Sequence, residues 1–141
     1  MPEGKFIDEI RIGDFAQISN TVTESVINNF AKATGDFNPI HLDQTYAEKT
    51  YFKGRIAHGV LSLGYFSSVL GNLLPGPGGI YLSQEVKFLA PVRIGDIITA
   101  KVEVIDLIPE KNRIKLKTTC TNQKGEVVVD GTAWSLCPQK G

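Results

Sequence analysis

The run Gly59-Val60-Leu61-Ser62-Leu63-Gly64-Tyr65-Phe66-Ser67-Ser68-Val69-Leu70-Gly71-Asn72-Leu73 decides how this chain folds. It reads as a helix from about Gly59 to Leu73, roughly 22 Å long at about 1.5 Å per residue. On such a helix Val60, Leu61, Leu63, Tyr65, Phe66, Val69, Leu70 and Leu73 point in nearly every direction. A helix that is apolar around most of its girth has to be enclosed. Ser62, Ser67, Ser68 and Asn72 interrupt it, so it falls short of a membrane span and reads as a buried helix.

The residues that follow supply the enclosure. Leu74-Pro75-Gly76-Pro77-Gly78-Gly79 breaks the helical half from a strand-rich half. Ile80 to Leu89 reads as a strand, and Pro91 with Gly95-Asp96 makes a turn. Ile97 to Ile108 alternates around Thr99, Lys101 and Glu103, as a half-buried strand does. Pro109-Glu110-Lys111-Asn112 and Gln123-Lys124-Gly125 are reversals between that strand, Arg113–Thr121 and Glu126–Leu136. Long strands in a meander need a bent antiparallel sheet. The expected fold is therefore α+β: one hot-dog domain over residues 1–141, a curved sheet wrapped around a central helix.

Upstream, Phe15–Ser19 is a candidate edge strand, and Thr21 or Thr23 caps a helix running to about Thr34. Val26, Ile27, Phe30, Ala31 and Ala33 form its apolar face, and Gly35 ends it. Asp43 caps a short helix from Gln44 to about Glu48.

A length of 141 residues suits one domain. Fifteen basic and fifteen acidic residues cancel, so no basic face is implied and nucleic acid is not an expected partner. Nor is a membrane. Cys120 and Cys137 lack metal-ligand spacing and read as reduced, half-buried thiols, a disulfide being possible only if their strands are neighbours. Met1-Pro2-Glu3-Gly4-Lys5-Phe6 lacks the apolar core of a secretory signal, and a cytoplasmic location is expected.

The chemistry-bearing stretches are Gly35-Asp36-Phe37-Asn38-Pro39-Ile40-His41-Leu42-Asp43 and Ala57-His58-Gly59-Val60. Asp and Asn are ordinary turn residues, and a loop histidine is often only solvated. Two features favour function here. The chain has only two histidines, and the turn is built from conformationally constrained residues, which suits groups that hold a geometry. Asp36 and His41 are thus a candidate acid/base pair able to hold one water, a contribution of about 10²–10⁴-fold in rate. Asn38 is given a supporting role. Gly59, at a helix start, offers an unpaired N–H and close backbone approach for an oxyanion. Its alternative reading is tight packing. His58 reads as structural, bonded to a nearby carbonyl. Ser62, Tyr65, Phe66 and Ser67, along the helix flank, are candidate substrate-binding residues, and Lys53 and Arg55 could meet a phosphate-bearing ligand, their default reading being a solvated loop. No zinc spacing, phosphate loop or Gly-x-Ser-x-Gly elbow is present, so no metal is expected.

At these residues the sequence resembles the MaoC-like (R)-specific enoyl-CoA hydratases. The match runs through Phe30-Ala31-x-x-Thr34-Gly35-Asp36-x-Asn38-Pro39-Ile40-His41-Leu42-Asp43 and Arg55-Ile56-Ala57-His58-Gly59-Val60-Leu61. It continues through Val86-x-Phe88-x-x-Pro91-Val92-x-x-Gly95-Asp96, a block shared more widely among hot-dog proteins. The resemblance implies reversible hydration of trans-2-enoyl-CoA to (R)-3-hydroxyacyl-CoA. Asp36 and His41 would activate the water, and the Gly59 N–H would polarise the thioester carbonyl. It further implies a homodimer whose two sheets join edge to edge, an acyl-CoA substrate, no cofactor beyond it, and a place in fatty-acid metabolism or polyhydroxyalkanoate precursor supply. The rival readings are an acyl-carrier-protein dehydratase, a hot-dog thioesterase and a non-catalytic acyl-CoA sensor.

Overall fold

A computed structural model describes residues 3–141. Met1 and Pro2, at the head of the stretch read for a signal, lie outside the described residues. In chain order the elements are β1 (Phe15–Thr21), α1 (Glu24–Thr34), α2 (Pro39–Leu42), α3 (Gln44–Glu48), α4 (Leu61–Asn72), β2 (Ile80–Phe88), β3 (Ile97–Ile108), β4 (Arg113–Thr121) and β5 (Val127–Leu136). Single 3₁₀ turns precede β1 and join β3 to β4. The strands form one five-stranded antiparallel sheet in the order β1-β3-β4-β5-β2. This is the curved sheet around a helix that the sequence implies, with β1 at one edge as expected.

Alternation sets which face α4 meets. On β3, Ile98, Ala100, Val102 and Val104 are fully buried, while Thr99, Lys101 and Glu103 turn the other way. On β4 the buried set is Ile114, Leu116, Thr118 and Cys120. On β5 the neighbours Val128 and Val129 are both buried, which strict alternation forbids. An irregularity in the β4–β5 register between Cys120 and Thr121 accounts for it. The Val128 carbonyl, freed from regular pairing, accepts the N–H of Leu89 and holds the chain leaving β2.

Helix α4 lays Leu61, Ser62, Phe66, Val69 and Leu70 on that concave face. Phe66 is completely buried, and full burial of a side chain this size contributes about 1.5–3 kcal/mol. Two expectations are corrected. The helix begins at Leu61 rather than Gly59, because the N–H groups of Leu61, Ser62 and Leu63 close three-residue turns onto His58, Gly59 and Val60. It is also not enclosed on every side of this chain. Val60 and Leu73 flank it and are exposed, and the strip Gly64, Ser67 and Gly71 faces outward.

The N-terminal cap of α1 is Thr23, whose Oγ1 accepts the Val26 N–H at 3.1 Å. Both cysteines are free and fully buried rather than half-buried. Burial pushes the Cys120 thiol up to about 12 and that of Cys137 up to about 11, with a bond from the Ser62 side chain partly opposing the shift at Cys120. No helix among the described residues is long and apolar enough to cross a membrane.

Candidate active site

The site is built where α1 ends. Gly35 has φ +79°, a left-handed conformation that a side chain would oppose, and its N–H closes onto the Ala31 carbonyl. A relay of short-range bonds then fixes the turn. Asp36 N–H donates to Thr34 Oγ1 at 3.2 Å, Asn38 N–H to Asp36 Oδ1 at 3.2 Å, and Ile40 N–H to Asn38 Oδ1 at 3.1 Å. Asn38 is thereby the cap of α2, a four-residue helix with Pro39 at its first position. The sequence reading has only a turn here. Its supporting role for Asn38 takes the form of a cap that aims α2.

His41 sits on α2 and is buried. Its Nδ1 lies 2.7 Å from the Ile56 carbonyl oxygen, which can only accept. Nδ1 therefore carries the proton and Nε2 is left as the acceptor. Desolvation is the main influence on the ring and lowers its pKa below 6.5. Coulombic interaction with His58 adds to that lowering, whereas the Ile56 bond and the Asp36 charge oppose it. The imidazole is thus neutral at neutral pH, the form able to take a proton.

His58 donates from Nε2 to the Asp36 backbone carbonyl at 3.1 Å. Its ring stacks on His41 with centroids 3.8 Å apart and meets Phe30 at 4.7 Å. It ties the segment before α4 to the Asp36 turn and supports the His41 ring. A carboxylate oxygen of Asp36 and one ring nitrogen from each histidine all lie within 4.8 Å of one another. A water that bonds two groups through legs of about 2.8 Å at a roughly tetrahedral angle spans a gap of about 4.5 Å. The same three residues are of metal-ligating type. His41 Nδ1 and His58 Nε2 each face a backbone carbonyl, and His58 Nδ1 is buried without a partner among the described residues.

Gly59 lies in the turn ahead of α4, and its N–H has no backbone acceptor among the described residues. A Cβ here would stand 3.0 Å from Cδ1 and Cε1 of Phe88. His41, Gly59 and Ser62 share one cavity of about 250 Å³, walled by Phe52, Ile56, Ala57, Phe88, Leu89, Ala90, Pro91, Val92 and Val129. Asp36 stands exposed at its edge, within the cluster it forms with His41.

The remaining sequence-derived residues divide. Ser62 lines the cavity. Phe66 does not, because it is sunk in the core between α4 and the sheet. Tyr65 is half-buried, its hydroxyl without a protein partner among the described residues, and desolvation raises its pKa. Ser67 faces outward beside a separate 110 Å³ cavity with Leu70 and Tyr81. Lys53 is exposed at φ +60°. Arg55 is tied to the protein: its Nε donates to the His41 carbonyl at 2.6 Å and its Nη1 to Glu24 at 2.8 Å, while its Nη2 is buried without a partner among the described residues. Phe52, Phe88, Leu89 and Val129 are wall residues that sequence reasoning missed. The sequence reading takes the Phe88 to Pro91 stretch for fold only, and its anchoring on the Val128 carbonyl has no local signature.

The MaoC-like domain model matches residues 13–127. The chain is 48% identical over 136 residues to the (R)-specific enoyl-CoA hydratase of Rhodospirillum rubrum, covering 96% of this chain and 94% of that protein. Among solved structures it is similar to the unliganded R-hydratase PhaJ1 from Pseudomonas aeruginosa, with TM-score 0.92 and 41% identity over 97% of this chain and 88% of that one. It is also similar to the (R)-hydratase from Aeromonas caviae involved in PHA biosynthesis, with TM-score 0.88 and 40% identity over 92% and 98% of the two chains.

Proposed function

This chain belongs to the MaoC-like domain family, and from that membership we propose that it is an (R)-specific enoyl-CoA hydratase, a hydro-lyase working through Asp36, His41 and Gly59. The observation that carries the mechanism is the meeting of Asp36 and His41 beside the cavity that His41 shares with Gly59.

The water sits between the Asp36 carboxylate and His41 Nε2. One of the two takes a proton as the water oxygen bonds to C3 of the trans-2-enoyl thioester. The C2–C3 π electrons move to the thioester oxygen, where the Gly59 N–H meets the developing charge. A proton then returns to C2 from the same pair of groups, so one water is added across the double bond and nothing else is consumed. The chemistry is proton transfer with charge stabilisation and calls on no cofactor. The apolar cavity beside Ser62 receives the acyl group.

Purified protein mixed with a ladder of trans-2-enoyl-CoA lengths is expected to bleach the enoyl absorbance and to form the (R)-3-hydroxy product. No bleaching at any length removes the proposal. Faster reaction of crotonyl groups on acyl carrier protein than on CoA would favour the carrier-protein dehydratase, and thiol release from saturated acyl-CoA would favour a thioesterase.

We also propose a homodimer. Edge strand β2 carries exposed Ile80, Leu82 and Phe88, and exposed Leu89 and Val60 continue the apolar surface at the cavity mouth. Light scattering is expected to give twice the chain mass; a monomer at assay concentration contradicts it. The product's fate is proposed as polyhydroxyalkanoate supply, on the likeness to the Aeromonas caviae protein. Unchanged polymer after loss of the gene in a producing cell removes that assignment.

A further inference from the structure

We propose that Arg55 is a positioning residue for His41, one side chain that locks together the three segments carrying the site. The inference rests on the hydratase reading for its kinetic consequence but not for its geometry. Arg55 Nε donates to the His41 carbonyl at 2.6 Å, and Nη1 pairs with Glu24 at 2.8 Å. Glu24 opens α1, the helix whose far end delivers Asp36. Arg55 itself lies in the segment that delivers His58 and Gly59.

The next residue completes the grip. The Ile56 carbonyl takes the His41 Nδ1 proton at 2.7 Å, and the Ile56 N–H donates to the Ile40 carbonyl at 3.3 Å. The Arg55–Ile56 pair thus holds His41 by its main chain and by its ring. With Arg55 gone, α2 is free to move against that carbonyl. The ring then loses both its orientation and the bond that selects its tautomer.

Arg55 is badly placed to act on substrate. Its side chain is 9% exposed, its bonded donors point at protein oxygens, and it forms no part of the cavity wall. A guanidinium suits the clamp because its fixed fork serves two acceptors at once; an ammonium serves as a point charge.

The test compares Arg55→Gln and Arg55→Lys with wild type on crotonyl-CoA and on crotonyl-pantetheine, which lacks the nucleotide phosphates. Arg55→Gln is expected to lower kcat by about 10–100-fold on both substrates with KM little changed, since small misplacements of a catalytic group act on turnover. Arg55→Lys is expected to recover part of the loss. A loss confined to the CoA substrate and seen as raised KM would make Arg55 a phosphate ligand and overturn the proposal. Wild-type kcat in Arg55→Lys would also overturn it, and that variant carries the test if the glutamine one does not fold.

Imidazole ¹⁵N spectra provide a readout independent of turnover. His41 is expected to be a single Nδ1–H tautomer in wild type and a mixture in Arg55→Lys. Identical spectra refute the clamp. If wild type hydrates no enoyl thioester, the hydratase reading falls while the spectra still decide the role of Arg55.

Discussion

Asp36→Asn is expected to lower kcat by about 10²–10⁴-fold while leaving the fold in place. The amide keeps the shape of the carboxylate and an oxygen able to accept the Asn38 N–H, the 3.2 Å bond that helps set the turn. The site is exposed, so exchanging the charge for an amide has little desolvation cost. What disappears is the capacity to take and return a proton beside His41. Thermal denaturation should therefore overlay wild type while enoyl bleaching nearly stops. Wild-type turnover would rule out the assigned role, and a collapsed melting temperature would show that the carboxylate acts chiefly on structure.

Gly59→Ala is expected to lower kcat by about 10²–10³-fold, the loss typical of one oxyanion donor. Its backbone is not in the left-handed region, so alanine meets no conformational strain there. The new methyl would stand 3.0 Å from the Phe88 ring. That ring forms part of the cavity wall and has to shift, and because it also belongs to the proposed dimer surface the shift is expected to cost the dimer some stability. The methyl and the displaced ring then occupy the approach of the thioester oxygen to the N–H. A variant with normal kinetics would show that the substrate carbonyl is held elsewhere.

The strand meander and the long helix were legible because both follow from periodicity, a signal that runs through every residue of an element. The start of α4 was not. Val60 is as apolar as Leu61, and only the bonds onto His58 and Gly59 separate turn from helix. Likewise α2 is too short for any period to show, although Asn38-Pro39 spells its cap and first residue. Asp36 and His41 could be picked from type and spacing. The walls of their cavity could not, because Phe88 and Leu89, at and just past the end of β2, and Val129, on β5, lie far from them in sequence. For the same reason the sequence leaves Arg55 between a solvated loop and a phosphate ligand: its partners, Glu24 and the His41 carbonyl, lie 31 and 14 residues away.

Acyl thioesters transfer their acyl group to any thiolate they can reach, and the cavity-lining Ser62 is close enough to Cys120 to act on its thiol. With its thiol raised to about 12, the anionic share at pH 7 is on the order of 10⁻⁵. Seating this sulfur inside the sheet leaves it unable to trap passing substrate as a dead-end adduct, and the same placement should make the protein slow to react with alkylating reagents.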